Sequence, residues 1–303
     1  MKPVAFQNVL LYSKMQSKQN AVSVCKRCTS AKSGAEKTLR VHQKNMEVSQ
    51  RMREEIISLS GIYQQYTPDL FSGARCTDLT GLSETKFFCG EEAAEQIRAA
   101  VSRLPLNALH WIDSGDYHYV SLFWLEQIRT PFTLVMMDHH TDMQESAFGA
   151  GLLSCGSWLM RALETLPLLN QVILIGPPET EPEIDPALAA RVHHLTEDAL
   201  KQELDTVLQK VSGEQVYISF DKDILDPAFC VTGWTQGTMT PDEALALLAK
   251  ISKSAAAVIG IDLCGEPPLQ GGGSDAAGVS ETMRTNQQIR EGILKLNIGG
   301  ING

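Results

Sequence analysis

The stretch 134–142 reads LVMMDHHTD, so an apolar run ends in four ionisable side chains within five residues. Charged groups are costly to bury unless they are paired, and this cluster therefore needs a cationic partner. Alternate residues of an extended segment point to the same side. We therefore expect Asp138, His140 and Asp142 to face one cavity, and the spacing predicts a metal site.

A second apolar run ends in the same way, in SFDKD at 219–223. Asp221 and Asp223 are again alternate residues and are expected to share a side. An aspartate at a strand end can instead cap the following helix, which would explain one acid but explains these pairs poorly.

The donor types indicate which metal the site would hold. The two motifs supply four carboxylates and one imidazole, and His118 is a further candidate ligand. Carboxylates with imidazoles and no thiolate favour Mn²⁺ or a similar ion over structural zinc, and six ligands suit two ions better than one. Two such ions about 3.5–4 Å apart can share a bridging water and convert it to hydroxide near neutral pH.

Strands and helices must alternate to position these residues. Continuous apolar runs predict strands at 108–113, 132–138, 171–176, 215–221 and 257–264. Helical periodicity lies between them, at 91–104, 120–129, 156–166, 196–211 and 240–254. The pattern predicts an α/β domain with a parallel sheet covered on both faces. Four of the strands carry an acid at or near their carboxyl ends, and in such sheets ligands bind at the carboxyl ends of the strands.

Charge is distributed unevenly along the 303 residues. The net charge is −10, but residues 1–60 carry eleven Lys/Arg and four Asp/Glu, or +7, which leaves −17 for the remainder. An acidic body argues against nucleic acid as a partner and favours cations. We expect residues 1–55 to be a basic and flexible extension, with a partner-binding arm as the alternative, and residues 56–303 to form the folded domain.

Composition also bears on location. The apolar runs are far shorter than the roughly 18 residues that a membrane span needs. The seven cysteines are scattered and odd in number, and the N-terminus lacks a signal-peptide pattern. A cytoplasmic protein that does not bind membranes is the expectation.

The motifs DHHTD and SFDKDILDPAF (219–229) resemble those of the ureohydrolases, the family of arginase, agmatinase and formimidoylglutamase. The resemblance covers about residues 105–295. It implies a three-layer α/β/α fold with a mostly parallel sheet and two Mn²⁺ ions per chain. It also implies metal-bridged hydroxide attack on a C–N bond of a small cationic guanidino or formimino compound, with release of urea or an analogue, by a homo-oligomer (trimer or hexamer).

The resemblance also implies a role for each site residue. Two carboxylates would bridge the ions, and each ion would take one further histidine and one further aspartate: Asp138 and Asp221 as bridges, His118 and Asp142 on one ion, His140 and Asp223 on the other. Asp142 would also hold the bridging hydroxide and pass its proton to the leaving amine.

The chain departs from the family pattern in its first motif. It has SGDYHY at 114–119, so His118 comes one residue late and needs a bulge or a shifted register to reach the metals. Asp116 is the alternative ligand.

Further departures concern the substrate. Cys155 stands where the family has a proton-shuttling histidine, and a thiol is a poor substitute at pH 7; the alternative is a small buried residue. Glu266 is shifted by one position from the family's substrate-binding acid, and we expect it to bind the substrate cation. Trp234 and Gln236 either line the pocket or pack within their loop.

Two other classes of function stay open. A deacetylase-like amide hydrolase would hold one zinc ion instead of two manganese ions. A non-catalytic relative would bind metal and ligand without turnover.

Overall fold

The computed structural model describes residues 52–66, 70–144, 152–178, 184–267 and 276–296. The expectation for the basic extension, residues 1–55, falls almost wholly outside the described residues and stays a prediction. The first described strand begins at Arg53.

The sheet that carries the candidate residues has eight strands, all paired in parallel. They are β1 Arg53–Ser58, β2 Arg75–Asp78, β4 Ala108–Ile112, β5 Phe132–Met137, β7 Leu169–Gly176, β8 Val192–Thr196, β9 Gln215–Asp221 and β10 Ala257–Cys264. Two short strands, β3 Phe88–Cys89 and β6 Leu153–Ser154, pair antiparallel in a separate ribbon. The order across the large sheet is β2-β1-β4-β10-β9-β5-β7-β8.

Helices follow most strands, as expected for crossover connections. The described α-helices are α1 Glu91–Val101, α2 Val120–Leu125, α3 Trp158–Thr165, α4 Pro186–Ala189, α5 Glu197–Val211, α6 Pro241–Ser254 and α7 Ala276–Ile293. None of the helices in the described part of the chain combines the length and the apolar character that a membrane crossing requires.

Both faces of the sheet are covered. Every residue of β5 is buried, because its alternate side chains enter two different cores. Leu134 and Met136 pack into one apolar cluster, and Val135 and Met137 pack into the other. The predicted α/β architecture with a buried parallel sheet is confirmed.

Strand order brings the two acidic motifs together. The chain runs from β4 to β5, but β9 and β10 later fill the space between them. The carboxyl ends of β5 and β9 are therefore adjacent, with Met137 paired to Phe220. A crevice forms at such a switch in strand order, where parallel α/β sheets bind their ligands.

Buried His110 anchors the middle of β4. Its ring stacks on Trp124 of α2, with centroids 3.6 Å apart. Nε2 lies 2.9 Å from the Pro105 carbonyl and Nδ1 lies 3.1 Å from the Tyr217 hydroxyl. A carbonyl only accepts, so Nε2 carries the proton of a neutral ring. Burial lowers the pKa of His110 to about 3, despite the hydrogen bond to Pro105.

This lowered pKa predicts an acid-sensitive contribution to stability. The unfolded chain takes up a proton on His110 near pH 6.5 and the folded chain only near pH 3, so stability falls as the pH drops through that window. The slope from this group is about 1.4 kcal/mol per pH unit. Urea unfolding of chelator-treated protein at several pH values should show a shallower slope for His110→Gln than for the wild type.

Trp124→Phe is the matched control for that experiment. It weakens the same packing but keeps the buried imidazole, so it should lower stability equally at every pH. An unchanged slope in His110→Gln would contradict the assignment.

Candidate metal centre

The D-x-H-x-D stretch leaves the carboxyl end of β5. The Asp138 amide still donates to Ile175 of β7, at 3.0 Å, and the next residues turn across the end of the sheet. The His140 amide donates to Asp138 Oδ1 at 2.6 Å. Asp142 has a left-handed backbone, with φ of 49°. This conformation is uncommon for a residue other than glycine, and Asp142 Oδ2 lies 3.1 Å from His118 Nδ1.

The second motif forms a tight turn at the end of β9. Residues Lys222–Ile224 make one 3₁₀ turn, and Asp221 caps it by accepting from the Asp223 amide at 2.9 Å. Asp223 Oδ1 accepts from the His139 amide at 2.9 Å, which ties the two motifs together. Gly265 (φ of 88°) permits this arrangement, because a Cβ there would lie 2.5 Å from Asp221 Oδ1.

His118 reaches the same place through a short turn. Residues Gly115–Tyr117 form a 3₁₀ turn after β4, and His118 caps its end. His118 Nδ1 lies 3.1 Å from Asp138 Oδ2, 3.1 Å from Asp142 Oδ2 and 3.5 Å from Asp221 Oδ2. The turn supplies the register shift that the late histidine requires.

Asp116, the alternative ligand, points elsewhere. Its Oδ1 accepts from Trp234 Nε1 at 3.1 Å, and its Oδ2 lies 3.8 Å from Lys86 Nζ. Among the described residues, two groups have ligand atoms that all lie within 4.8 Å of one another, and neither group includes Asp116 or the predicted ligand Asp142. The groups are His118, Asp138 and Asp221, and Asp138, His140 and Asp223.

Hydrogen bonds behind His118 set its tautomer. The Ser219 hydroxyl lies 2.8 Å from Asp262 Oδ1 and donates to it. Ser219 Oγ is thus left to accept from His118 Nε2, 2.9 Å away. In the neutral ring, Nδ1 then presents a lone pair to three carboxylates. Lone pair and carboxylates repel one another unless a cation lies among them, so this donor set fits a metal ion.

Charge counting supports the same conclusion for the whole cluster. Four buried carboxylates with two neutral imidazoles carry four negative charges, which two divalent cations would balance. Mostly oxygen donors with two imidazoles suit Mn²⁺ better than a structural zinc site. The residues present therefore fit a pair of such ions.

Without metal ions, protonation compensates part of the negative charge of the four carboxylates. Burial lowers the pKa of His118, but hydrogen bonds to Asp138 and Asp142 raise that pKa overall to well above its usual value. Burial similarly opposes protonation of His140, yet Asp138 and Asp223 raise its pKa to about 11. Burial and the nearby Asp138 raise the pKa of Asp221 to about 6. Without metal ions, protonation of the two histidines therefore supplies positive charge to the cluster, and the raised pKa of Asp221 favours its neutral form.

A fixed hydrogen bond orients Asp142. The buried indole of Trp158, at the start of α3, donates from Nε1 to Asp142 Oδ2 at 2.6 Å. The Asp142 carbonyl accepts from the Leu159 amide at 3.1 Å. No motif in the sequence marked Trp158 as a partner of Asp142.

The six predicted ligands lie around a cavity of about 200 Å³, open at one end. Beyond these ligands, it is lined by two glycines and by the side chains of Phe87, Phe88, Gln144, Ser154, Cys155 and Trp234. Nothing in the local sequence marked Phe87, Phe88 or Gln144: Phe87 precedes β3, Phe88 begins it, and Gln144 follows the D-x-H-x-D motif.

A family model for the arginase family matches residues 47–283, more than three quarters of the chain. The chain belongs to the arginase family. The family resemblance read from the two aspartate motifs is thereby confirmed.

Individual relatives are more distant. An uncharacterized protein of Thermotoga maritima is 33% identical over 161 residues, which is 53% of this chain and 59% of that protein. The human mitochondrial guanidino acid hydrolase is 26% identical over 211 residues, 65% of this chain and 60% of that protein. The matched region thus spans about three fifths of each relative's length.

A solved structure shows the same fold. The proclavaminate amidino hydrolase of Streptomyces clavuligerus superposes with a TM-score of 0.59 at 20% identity, covering 82% of this chain and 92% of that one. The arginase-like three-layer architecture expected from the sequence is confirmed.

Cys155 lies in this arginase-family pocket and is also a small buried residue, so its position does not decide between the two roles considered for it. Its amide donates to Phe87 at 2.9 Å. Burial, with the nearby Asp142, raises the pKa of its thiol. A thiol held in its neutral form does not replace a histidine as a proton shuttle near pH 7.

Of the two loop residues, Trp234 lines the pocket and Gln236 packs within the loop. Gln236 Nε2 donates to the carbonyls of Leu225 and Cys230 at 3.0 and 3.2 Å.

Glu266 requires a correction, because it does not face the pocket. Its side chain is fully buried, with Oε1 2.6 Å from Lys222 Nζ. Asn286 of α7 donates to both carboxylate oxygens, and the Tyr66 hydroxyl donates to Oε2. With these partners in place, Glu266 neutralises Lys222 and does not match the substrate-binding role expected for it.

Loss of this buried ion pair should destabilise the fold. Glu266→Gln leaves the Lys222 ammonium buried without a counter-charge, and the expected cost is about 3–5 kcal/mol in the free energy of unfolding. Urea denaturation in the presence of a chelator measures this without a contribution from metal binding.

Glu126→Gln is the matched control, since Glu126 pairs with Arg98 at the surface, 2.6 Å away. Its expected cost is below about 1 kcal/mol. Equal losses in the two variants would contradict the structural role assigned to Glu266.

Proposed function

We propose that the chain is a hydrolase that holds two Mn²⁺ ions and cleaves a C–N bond of a guanidino or formimino compound. Membership of the arginase family supports this proposal, as do relatives whose names state guanidino acid hydrolase and amidino hydrolase activity. One ion would be held by His118, Asp138 and Asp221, with Asp142 beside it. The other would be held by Asp138, His140 and Asp223. Asp221, like Asp138, would serve both ions.

The observation that carries the proposal is the convergence of three carboxylates on the His118 lone pair. Asp138, Asp142 and Asp221 each place an oxygen within 3.5 Å of Nδ1, and Ser219 fixes the proton on the opposite nitrogen. When bound, paired divalent ions supply Lewis acidity and lower the pKa of a water molecule toward neutrality.

The family and the names of relatives support the choice of substrate. A guanidino or formimino group is planar, and its central carbon carries the C–N bond to be cleaved. Hydrolysis adds water to its central carbon, breaks one C–N bond and requires a proton at the departing nitrogen.

Asp142 is positioned to carry that proton. Trp158 Nε1 and His118 Nδ1 both approach its Oδ2, so we assign the proton transfer to Oδ1. The neighbouring Cys155 is held as a neutral thiol, which does not shuttle protons near pH 7. We therefore assign the transfer to the Asp142 carboxylate.

Metal content and activity test the proposal together. Protein loaded with MnCl₂ and freed of excess metal should contain two Mn per chain by mass spectrometry. It should release urea, or the corresponding amide, from at least one member of a panel of guanidino and formimino compounds. Asp223→Asn removes one ligand and should lower both metal content and the rate, the rate by at least about 100-fold.

Asp226→Asn is the control within the same motif. The Asp226 carboxylate accepts from the Ala228 amide at 2.8 Å, a bond that asparagine can also make, so both readouts should stay near wild type. One zinc per chain with amide hydrolysis would indicate a deacetylase-like enzyme. Two metals and ligand-induced thermal stabilisation without turnover would indicate a non-catalytic relative.

A further inference from the structure

The mouth of the cavity differs chemically from its floor. Among the described residues, the exposed large apolar side chains are Phe87, Val231 and Trp234, and two of these three line the cavity. Phe87 is 47% exposed and Trp234 is 37% exposed. Their rings meet edge to face, with centroids 6.1 Å apart at 81°.

Phe87 is held at the mouth by its backbone. Its φ of 67° lies in the left-handed region, which is unfavourable for a bulky side chain. Hydrogen bonds on both sides hold it there: its amide donates to the Asp116 carbonyl at 3.2 Å, and its carbonyl accepts from the Cys155 amide at 2.9 Å. A strained aromatic residue at the rim of a cavity indicates a function for that ring.

Trp234 is fixed from the opposite side. Its Nε1 donates to Asp116 Oδ1 at 3.1 Å, and its ring lies 5.7 Å from that of His140. Gly115 makes room for the indole, because a Cβ at that position would lie 2.8 Å from Trp234 Cδ1. The indole is therefore anchored, and its apolar surface is partly open to solvent.

The wall between floor and mouth carries no charge. Apart from the six ligands, the described lining residues are all neutral, and Lys86, near Phe87, is paired with Asp116. With Glu266 turned away to Lys222, the described wall presents no carboxylate to a cationic tail. A cation does lie beside the mouth: Lys86 Nζ is 5.0 Å from the Phe87 ring centroid and is paired with Asp116 at 3.8 Å.

We propose that Phe87 and Trp234 determine specificity by binding an apolar, preferably aromatic, tail on the substrate. The inference rests on the proposed function, in that the reacting end is the guanidino group at the acidic floor. Two rings set edge to face at the mouth offer faces and edges to a third ring, and contact with it removes their exposed apolar surface from water.

Binding measurements test the mouth independently of turnover. Calorimetry on the Mn-loaded Asp142→Asn variant, which lacks the proposed proton-transfer carboxylate, would compare phenethylguanidine with methylguanidine, which shares the reacting group but has no tail. We expect at least about 10-fold tighter binding of the aryl compound, from burial of its ring. Arginine and agmatine, with charged tails, should bind more weakly than phenethylguanidine.

Variants assign the preference to residues. Phe87→Gly relieves the backbone strain, and Trp234→Leu keeps an apolar side chain without the ring. Each should reduce the aryl-to-methyl affinity ratio by at least about 3-fold. Val231→Ala changes the exposed apolar residue that does not line the cavity, and it should retain the wild-type ratio.

The outcomes separate the two proposals. Aryl preference without hydrolysis of any guanidine would support the aromatic mouth and overturn the hydrolase assignment. Hydrolysis with no aryl preference, or with preference for arginine or agmatine, would overturn the aromatic mouth and leave the hydrolase assignment standing. An aryl preference unaffected by both variants would also overturn the role given to Phe87 and Trp234.

Discussion

Repulsion among four buried carboxylates is the constraint around which this structure is arranged. Asp138, Asp142, Asp221 and Asp223 come from two strand ends that the parallel sheet forces together. Backbone amides stabilise some of their oxygens, but the remaining negative charge needs a cation. Without one, protonated histidines take its place, as the raised pKa values of His118 and His140 show. A fold that gathers these charges at a cavity is therefore built for a positively charged occupant.

Much of the fold and of the candidate site could be predicted from the sequence, because both depend on local patterns of residues. Strands 215–221 and 257–264 match the structure residue for residue, since buried parallel strands read as continuous apolar runs. Strand β8 was missed because it lies at the sheet edge and reads VHHLT. Strand β1 was hidden by its charges; Glu54, for example, pairs with Arg290 of α7, 2.6 Å away. Such long-range pairs leave no local signal.

The orientation of Glu266 shows the same limit within the site. Its position near the family's substrate-binding acid suggested a role in the pocket. The direction of its side chain, however, is decided by Lys222, which lies 44 positions earlier between two predicted ligands, and by Asn286 on α7. A buried lysine ammonium without a counter-charge strongly destabilises the fold. Glu266 therefore pairs with Lys222 and does not add a fifth carboxylate to the cavity. Charge balance away from the cavity therefore changes the chemistry available inside it.

Asp116 links the floor of the cavity to its mouth. The turn Gly115–Tyr117 that carries His118 to the carboxylates also directs the Asp116 carbonyl to Phe87 and its carboxylate to Trp234. The same turn leaves Gly115 facing the indole, where no Cβ fits. Asp116 lies outside both groups of ligand atoms, and its carbonyl and carboxylate instead accept hydrogen bonds from Phe87 and Trp234. A change in this turn is therefore expected to displace the His118 imidazole and the two aromatic rings together.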